Sequence, residues 1–322
     1  CITVSRLAEA WEHFGIKRDE TLVSQAQRFV DIHHPDGHPD IVQQVEHGAL
    51  NLIAQHRAFG RAITTIIEPN LHQYHHLGDA VNITDNLPYN PKLKPYQSDG
   101  KTSGTPDDRY VFTNRSSRTN YSSLVALANA SRALKGYNND LSRECLETAK
   151  KVWADEHSQP SVTVSQGQEG FRGTGETEAA LQLFISTKEK QYSDRFKELL
   201  WPSMEEGFMF SMRLAASAIP YMESEFREKL KPFVQKYKAA SDEIMKQNPY
   251  GVTISTGGWG GNQGIISWAI TNYLLHKSYP EIIGTDYTFR GMDYIFGCHP
   301  YNNISFVSGV GTSSKEFAYG NN

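Results

Sequence analysis

The chain has 322 residues, of which 39% are apolar, and its formal net charge at pH 7 is −4. This length and apolar content are sufficient for a large globular core and argue against a disordered chain. Acidic and basic residues are interspersed, so the sequence gives no electrostatic basis for binding nucleic acid or an anionic membrane. We therefore expect an uncharged binding partner.

The three cysteines, Cys1, Cys145 and Cys298, are scattered along the sequence. They are too few and too far apart for a disulfide framework, and no C-x-x-C pair is present to bind zinc. No apolar run reaches the ~20 residues that a membrane-spanning helix needs. The sequence predicts no cofactor, no metal site and no membrane span.

Helical periodicity dominates the N-terminal part. Apolar residues at helical spacing predict helices over 2–14, 19–32 and 40–58, the first without a preceding cap residue. The sequence H-H-P-D-G-H-P occupies residues 33–39. Its prolines and glycine predict a turn rather than a metal site, because ligands this close in sequence usually cannot all converge on one ion.

Residues 60–116 form a long polar stretch with several prolines, a β-prone run at 63–67 and little helical periodicity. Loops of this length inside a compact domain are uncommon and are usually functional. We therefore predict a loop region over 60–116 on the side of the active site.

Helices return after this stretch. Residues 117–135 form an alanine-rich helix that ends at Gly136, and a cap formed by asparagine and aspartate precedes a helix over 139–155.

The next helix opens at Thr174-Gly175-Glu176-Thr177-Glu178. Thr174 is interpreted as its N-cap, with Glu176 and Glu178 in the first turn, where the helix dipole favours carboxylates. This interpretation is preferred to a catalytic carboxylate pair. Trp201 and Pro202 predict a break between the helices over 190–199 and 203–217. Further helices are predicted over 190–199, 203–217, 222–247 and 263–278, of which the third faces solvent and the last is an inner helix, apolar nearly all round.

The most specific motifs lie in residues 257–311. This stretch begins G-G-W-G-G-N-Q and later reads M-D-Y-I-F-G-C-H-P, followed by S-F-V-S-G-V-G. The last two motifs resemble the signature of family 9 glycoside hydrolases, roughly D-Y-L-L-G-x-N-P, a short gap and S-Y-V-T-G-x-G. One residue is inserted in the gap, and His299 stands where the family usually has asparagine.

A second resemblance to this family lies in residues 72–86, H-Q-Y-H-H-L-G-D-A-V-N-I-T-D-N. The family has Y-x-V-G-D, a few residues, and then D-H-x-x-W. Gly78 and Asp79 match this pattern. Thr84, Asp85 and Asn86 occupy the region of the family's histidine and tryptophan, so the sugar contacts made there are expected to differ.

The resemblance implies an all-α (α/α)6 barrel, a toroid of helical hairpins. An α-solenoid would give the same succession of helices, but no repeat of fixed length is visible. Residues 1–322 are then expected to form a single catalytic-type domain, a fragment that is incomplete at both ends. The family often binds calcium near the start of the helix over 117–135, through a serine–aspartate pair and a glutamate. Residues 119–123 contain no carboxylate, so we predict no calcium there.

The activity that the resemblance implies is inverting hydrolysis of β-1,4-glucan, as in an endoglucanase or cellulase. Inversion requires an acid and a base about 6.5–9.5 Å apart. The family's base lies in a D-A-G-D-like motif, and its acid is a glutamate after the glycine-rich segment; neither is found in this sequence. The pairs Asp107 and Asp108, Glu176 and Glu178, and Asp79 and Asp85 are the plausible substitutes, but none lies in a family catalytic motif. We therefore predict that the 322-residue chain is inactive.

Sugar-binding residues can still be proposed. Trp259, flanked by glycines, is expected to stack on a sugar ring. The substrate-binding candidates are Tyr74, His75, Asp85, Trp259, Asn262, Tyr319 and Asn321. The expected partner is a β-glucan oligosaccharide, met outside the cytoplasm.

Two alternatives remain open. If Asp85 faces the substrate, its carboxylate could pair with a sugar ammonium, which would indicate an exo-acting β-glucosaminidase on chitosan oligosaccharides. Asp85 could equally cap the turn that follows it. The other alternative is a carbohydrate-binding scaffold without catalytic activity.

Overall fold

The computed structural model describes residues 1–24, 26–27, 29–67, 85–162, 175–254, 261–299 and 302–314. The chain divides into two compact units. The first comprises Cys1–Pro69 and Asp108–Lys197, and the second Asn70–Asp107 and Glu198–Asn322. The prediction of a single catalytic-type domain stays a prediction.

The helices of the first unit are α1 (Ile2–Phe14), α2 (Asp40–Phe59), α3 (Ser117–Ala133), α4 (Asn139–His157) and α5 (Glu176–Thr187). Helix α3 lies at the centre and packs against the other four. Its Ala126, Ala128 and Ala130 are fully buried, as expected for a helix that neighbours approach closely. The predicted helices over 2–14, 40–58, 117–135 and 139–155 are confirmed.

Side chains cap the starts of α3 and α4, and the asparagine cap of α4 is the one that the sequence predicted. Ser116 Oγ accepts the Thr119 N–H at 3.3 Å at the start of α3. Asn138 Oδ1 accepts the Leu141 N–H at 3.1 Å at the start of α4. Each bond satisfies a backbone donor that has no partner within the helix.

The helix predicted over 19–32 is wrong. This segment contains the antiparallel strands β1 (Leu22–Ser24) and β2 (Phe29–Asp31). The Asp40 carboxylate accepts the N–H groups of Glu20 and Thr21, and Asp36 accepts that of Val23. These carboxylates give the backbone donors partners outside a helix, which favours the extended conformation. The predicted turn over 33–39 is confirmed.

A second antiparallel pair joins β3 (Thr65–Ile67) to β4 (Tyr110–Phe112). The β-prone run at 63–67 therefore contains a strand, as its composition predicted. Its partner strand lies at the far end of the loop region in sequence.

Helix α6 (Lys190–Ala218) begins in the first unit and ends in the second. The predicted break at Trp201 and Pro202 is wrong, because the helix continues through both residues. The departure from helical geometry lies at Gly207, with φ −162° and ψ 64°. Near the proline, Ser203 Oγ donates to the Leu199 carbonyl at 3.1 Å, which gives a backbone acceptor a side-chain partner.

The second unit also contains α7 (Ser224–Met245), α8 (Asn262–Ser278), α9 (Asp286–Ile295) and the short parallel strands β5 (Ile304–Ser305) and β6 (Ser313–Ser314). Helix α7 faces solvent on one side only, because Leu230 and Val234 are fully buried. Helix α8 is not buried all round as predicted: Trp268 is 5% exposed, whereas Ile266 is 39% exposed. None of the helices within the described ranges is both long and apolar enough to cross a membrane.

Candidate functional site

The glycine of the D-Y-I-F-G-C-H-P motif has a steric role. Gly297 follows the end of α9 with φ +96°, and a Cβ atom there would lie 2.7 Å from the Ser305 backbone nitrogen. A side chain is therefore excluded both by the left-handed backbone and by the passing chain. Gly297 thus brings the start of the S-F-V-S-G-V-G motif against the end of α9.

His299 stabilises the turn that follows α9. Its Nε2 lies 2.8 Å from the Tyr294 carbonyl oxygen, and its Nδ1 lies 2.9 Å from Asn302 Oδ1. Asn302 Oδ1 also accepts the Ile304 N–H at the start of β5, at 3.1 Å. The histidine that replaces the family's asparagine therefore links the end of α9 to β5.

Aromatic rings surround His299. The ring centroids of Tyr294, Phe306 and Tyr250 lie 4.8, 5.3 and 5.8 Å from that of His299. Sequence reasoning identified the motif but not this cluster. The alternation of aromatic residues with Gly297 and His299 was the available signal.

Asp85 is exposed at the start of the described part of the loop region. Its Oδ1 accepts the Leu87 N–H at 2.9 Å, which is the turn contact considered from the sequence. Its own N–H donates to Asp107 Oδ2 at 2.6 Å. A substrate contact by Asp85 stays a prediction.

Asn262 is the first residue of α8 and is half-buried. This places an amide side chain in the first turn of a helix, next to backbone N–H groups that can donate to a ligand. The other candidates, Tyr74, His75, Trp259, Tyr319 and Asn321, lie outside the described residues, as does Asp79. Their roles stay predictions.

Glu176 forms an ion-pair network with Arg195 and His157. Its Oε1 accepts from Arg195 Nε at 2.7 Å and lies 3.1 Å from His157 Nε2. The cap position of α5 is Gly175, with φ +82° and no side-chain cap bond. Thr174, the predicted cap, lies outside the described residues. Glu176 and Glu178 do lie in the first turn, as predicted.

The region predicted to lack calcium is the start of α3. Here Asn120 Nδ2 donates to Glu156 Oε1 at 2.6 Å, and Arg115 donates to the same carboxylate. Within the described ranges, no three histidine, cysteine, aspartate or glutamate side chains are grouped to hold a metal ion. Sequence reasoning missed this Arg115–Glu156 pair, since the two residues are far apart in sequence and belong to no motif.

These motifs and this helical order identify the family. The chain belongs to glycosyl hydrolase family 9, whose profile matches residues 2–320. No protein of curated function matches the chain in sequence.

Solved structures with a similar fold include endoglucanases and a cellulase. A metagenome-derived family 9 endoglucanase matches with 18% identity and a TM-score of 0.65, over 97% of this chain and 55% of its own. The cellulase Cel9M of C. cellulolyticum in complex with cellobiose has 15% identity and a TM-score of 0.62, over 97% of this chain and 67% of its own. An endoglucanase from the termite Nasutitermes takasagoensis has 15% identity and a TM-score of 0.59, over 97% of this chain and 66% of its own.

These similarities confirm the predicted all-α, (α/α)6 fold class. The chain spans 55% of the length of the first of these enzymes. At such low identities the similarity establishes the fold alone.

Proposed function

We propose that residues 1–322 belong to a glycoside hydrolase that as a whole cleaves β-1,4-linked glucan with inversion, as an endoglucanase does, outside the cytoplasm. The observation that carries this proposal is the family match over residues 2–320. The steric need for Gly297 supports it, because the signature motif then has a structural basis in this chain. The similar structures include endoglucanases and a cellulase bound to cellobiose.

Within this proposal, residues 1–322 supply sugar-binding surface rather than the proton-transfer pair. Of the carboxylates considered as substitutes, Glu176 is held by Arg195 and His157. Asp107 is buried and accepts a backbone N–H. A general acid or base must reach the glycosidic oxygen or a water molecule, so these environments favour structural roles for both residues.

A second candidate substrate is an amino-sugar chain such as a chitosan oligosaccharide. This substrate is favoured by the exposed carboxylate of Asp85. The backbone and the side chain of Asp85 are both fixed by hydrogen bonds. A sugar ammonium would form a charge-assisted hydrogen bond with it, roughly twice as strong as one from a neutral hydroxyl.

The test compares binding of cellohexaose and the glucosamine hexamer to the chain and to Asp85→Asn. The amino-sugar proposal expects the substitution to reduce affinity for the glucosamine hexamer selectively, by on the order of 1–2 kcal/mol. Equal affinities that the substitution leaves unchanged would reject the amino sugar and leave the β-glucan proposal in place. Failure of both oligosaccharides to bind would contradict the proposed function.

A further inference from the structure

We infer that Asp107 is a positioning residue that fixes Asp85 for contact with the sugar. This inference rests on the proposed function, because it assigns Asp85 to the substrate side. Asp107 itself does not touch substrate. It acts through the main chain of Asp85, whose N–H donates to Asp107 Oδ2 at 2.6 Å.

The two residues lie at the two ends of one compact loop, residues 85–107. The Asn90 N–H donates to the Ser103 carbonyl at 2.6 Å, and the Ser103 N–H donates to the Pro88 carbonyl at 2.9 Å. A Cβ atom at Gly104 would lie 2.0 Å from the Lys94 carbonyl oxygen, so the backbone at Gly104 is in direct contact with the backbone at Lys94. The loop is therefore held together internally, and the Asp107 carboxylate joins its ends.

The environment of Asp107 is unfavourable for a residue kept only for stability. The residue is 5% exposed, and its Oδ1 is buried without a hydrogen-bond partner in the part of the chain that the structure describes. A buried carboxylate oxygen without a partner opposes folding. An asparagine of the same shape could accept the Asp85 N–H without bringing a charge into the interior.

A carboxylate provides what that asparagine lacks, namely a charge-assisted hydrogen bond. Such bonds are shorter and roughly twice as strong as neutral ones, which agrees with the short Asp85–Asp107 contact. Asp85 is also held by its side chain, since its Oδ1 accepts the Leu87 N–H at 2.9 Å. The Asp85 carboxylate is thus exposed in one fixed orientation, as a binding group requires.

The experiment combines three measurements on Asp107→Asn in the full 322-residue chain: the melting temperature, the NMR shift of the Asp85 amide proton, and the affinities for cellohexaose and the glucosamine hexamer. We expect an unchanged or higher melting temperature, because a buried charge is removed. The Asp85 amide proton should move upfield as its hydrogen bond weakens. Affinity for the oligosaccharide that the unmodified chain binds better should fall on the order of tenfold.

Asp99→Asn is the matched control. Asp99 lies in the same loop, is exposed, and accepts the N–H groups of Lys101 and Thr102. Its substitution should leave the Asp85 amide shift and both affinities unchanged. A shift at Asp85 in this variant would show a general loosening of the loop and would overturn the specific role of Asp107.

Three results with Asp107→Asn would overturn the inference. One is an Asp85 amide proton that does not move. Another is unchanged affinity in a chain that binds oligosaccharide. The third is a large loss of stability or a failure to fold, which would make Asp107 a folding residue. If the unmodified chain bound neither oligosaccharide, the proposed function would fail, while the amide proton would still report whether Asp107 holds Asp85.

Discussion

The Arg115 guanidinium donates two hydrogen bonds to the Glu156 carboxylate, from Nε to Oε1 at 3.1 Å and from Nη2 to Oε2 at 2.6 Å. The Glu156 side chain is 2% exposed and that of Arg115 is 14% exposed. Arg115 Nη1 also donates to the Pro160 carbonyl at 2.6 Å. This pair fastens the segment before α3 to the end of α4 and to the chain beyond it.

Removing Arg115 should therefore be costly. Arg115→Ala leaves a buried carboxylate with too few partners, and we predict a loss of about 3–5 kcal/mol in the free energy of unfolding. Arg143→Ala is the control, because its pair with Asp140 is largely exposed and should contribute less than about 1 kcal/mol. Denaturant unfolding measures both. Similar small losses of unfolding free energy for the two variants would show that the buried pair stabilises the fold no more than the exposed pair does.

His56 should make the stability depend on pH. Its Nε2 lies 2.9 Å from Ser123 Oγ, and burial, aided by Lys151, lowers the pKa of His56 from 6.5 to about 4. Between these values the unfolded chain binds a proton that the folded chain does not, so stability falls as the pH falls from 6.5 towards 4.

The variant His56→Gln should lack this contribution, which we put on the order of 1–3 kcal/mol across the window. The measurement is the difference between the two unfolding profiles at several pH values, since other titrating groups contribute equally to both. Parallel profiles for the two proteins would contradict the prediction.

Gly297 offers a test of the signature motif. Gly297→Ala should lower stability by about 1–3 kcal/mol more than Gly309→Ala, because both positions have positive φ but only the first has backbone atoms in the way. The Cβ atom at Gly309 would meet nothing within 4 Å. Thermal unfolding of the two variants decides. Equal losses would mean that the approach of β5 to Gly297 relaxes easily.

Trp259 is predicted to stack on a sugar ring. Trp259→Ala should weaken oligosaccharide binding by on the order of 1–3 kcal/mol and leave the melting temperature nearly unchanged. Phe289→Ala is the control, since Phe289 is 62% exposed on α9 and has no predicted role in binding. Calorimetric titration measures the affinities. A large drop in melting temperature with unchanged binding would assign Trp259 to the core.

The sequence predicted helices well where apolar residues repeat at helical spacing, because burial of one face then agrees with local preference. Helices α3 and α4 show this, with caps at Ser116 and Asn138. The prediction failed over 19–32, where the Asp36 and Asp40 carboxylates reach back to the backbone. Such contacts depend on where distant residues fold and leave no periodic signal.

The prediction of a break at Trp201 and Pro202 in α6 was also wrong. Pro202 removes one backbone donor but is exposed, and the helical geometry is lost at Gly207 instead. At the candidate site, the motif contains Gly297, whose steric role the structure explains, whereas a substrate contact by Asp85 stays a prediction. The contacts of His299 and the role of Asp107 in closing its loop required coordinates, because they join residues that no sequence pattern relates.

We propose that this chain carries a family 9 sugar-binding surface without a working acid–base pair. The most direct measurement is titration of the 322-residue chain with cellohexaose, followed by analysis of the same mixture for shorter products. We predict saturable binding without hydrolysis, because in this proposal residues 1–322 do not supply the acid and the base that hydrolysis requires. Hydrolysis that disappears when one aspartate or glutamate within residues 1–322 is replaced by its amide would contradict this proposal, as would the absence of any binding.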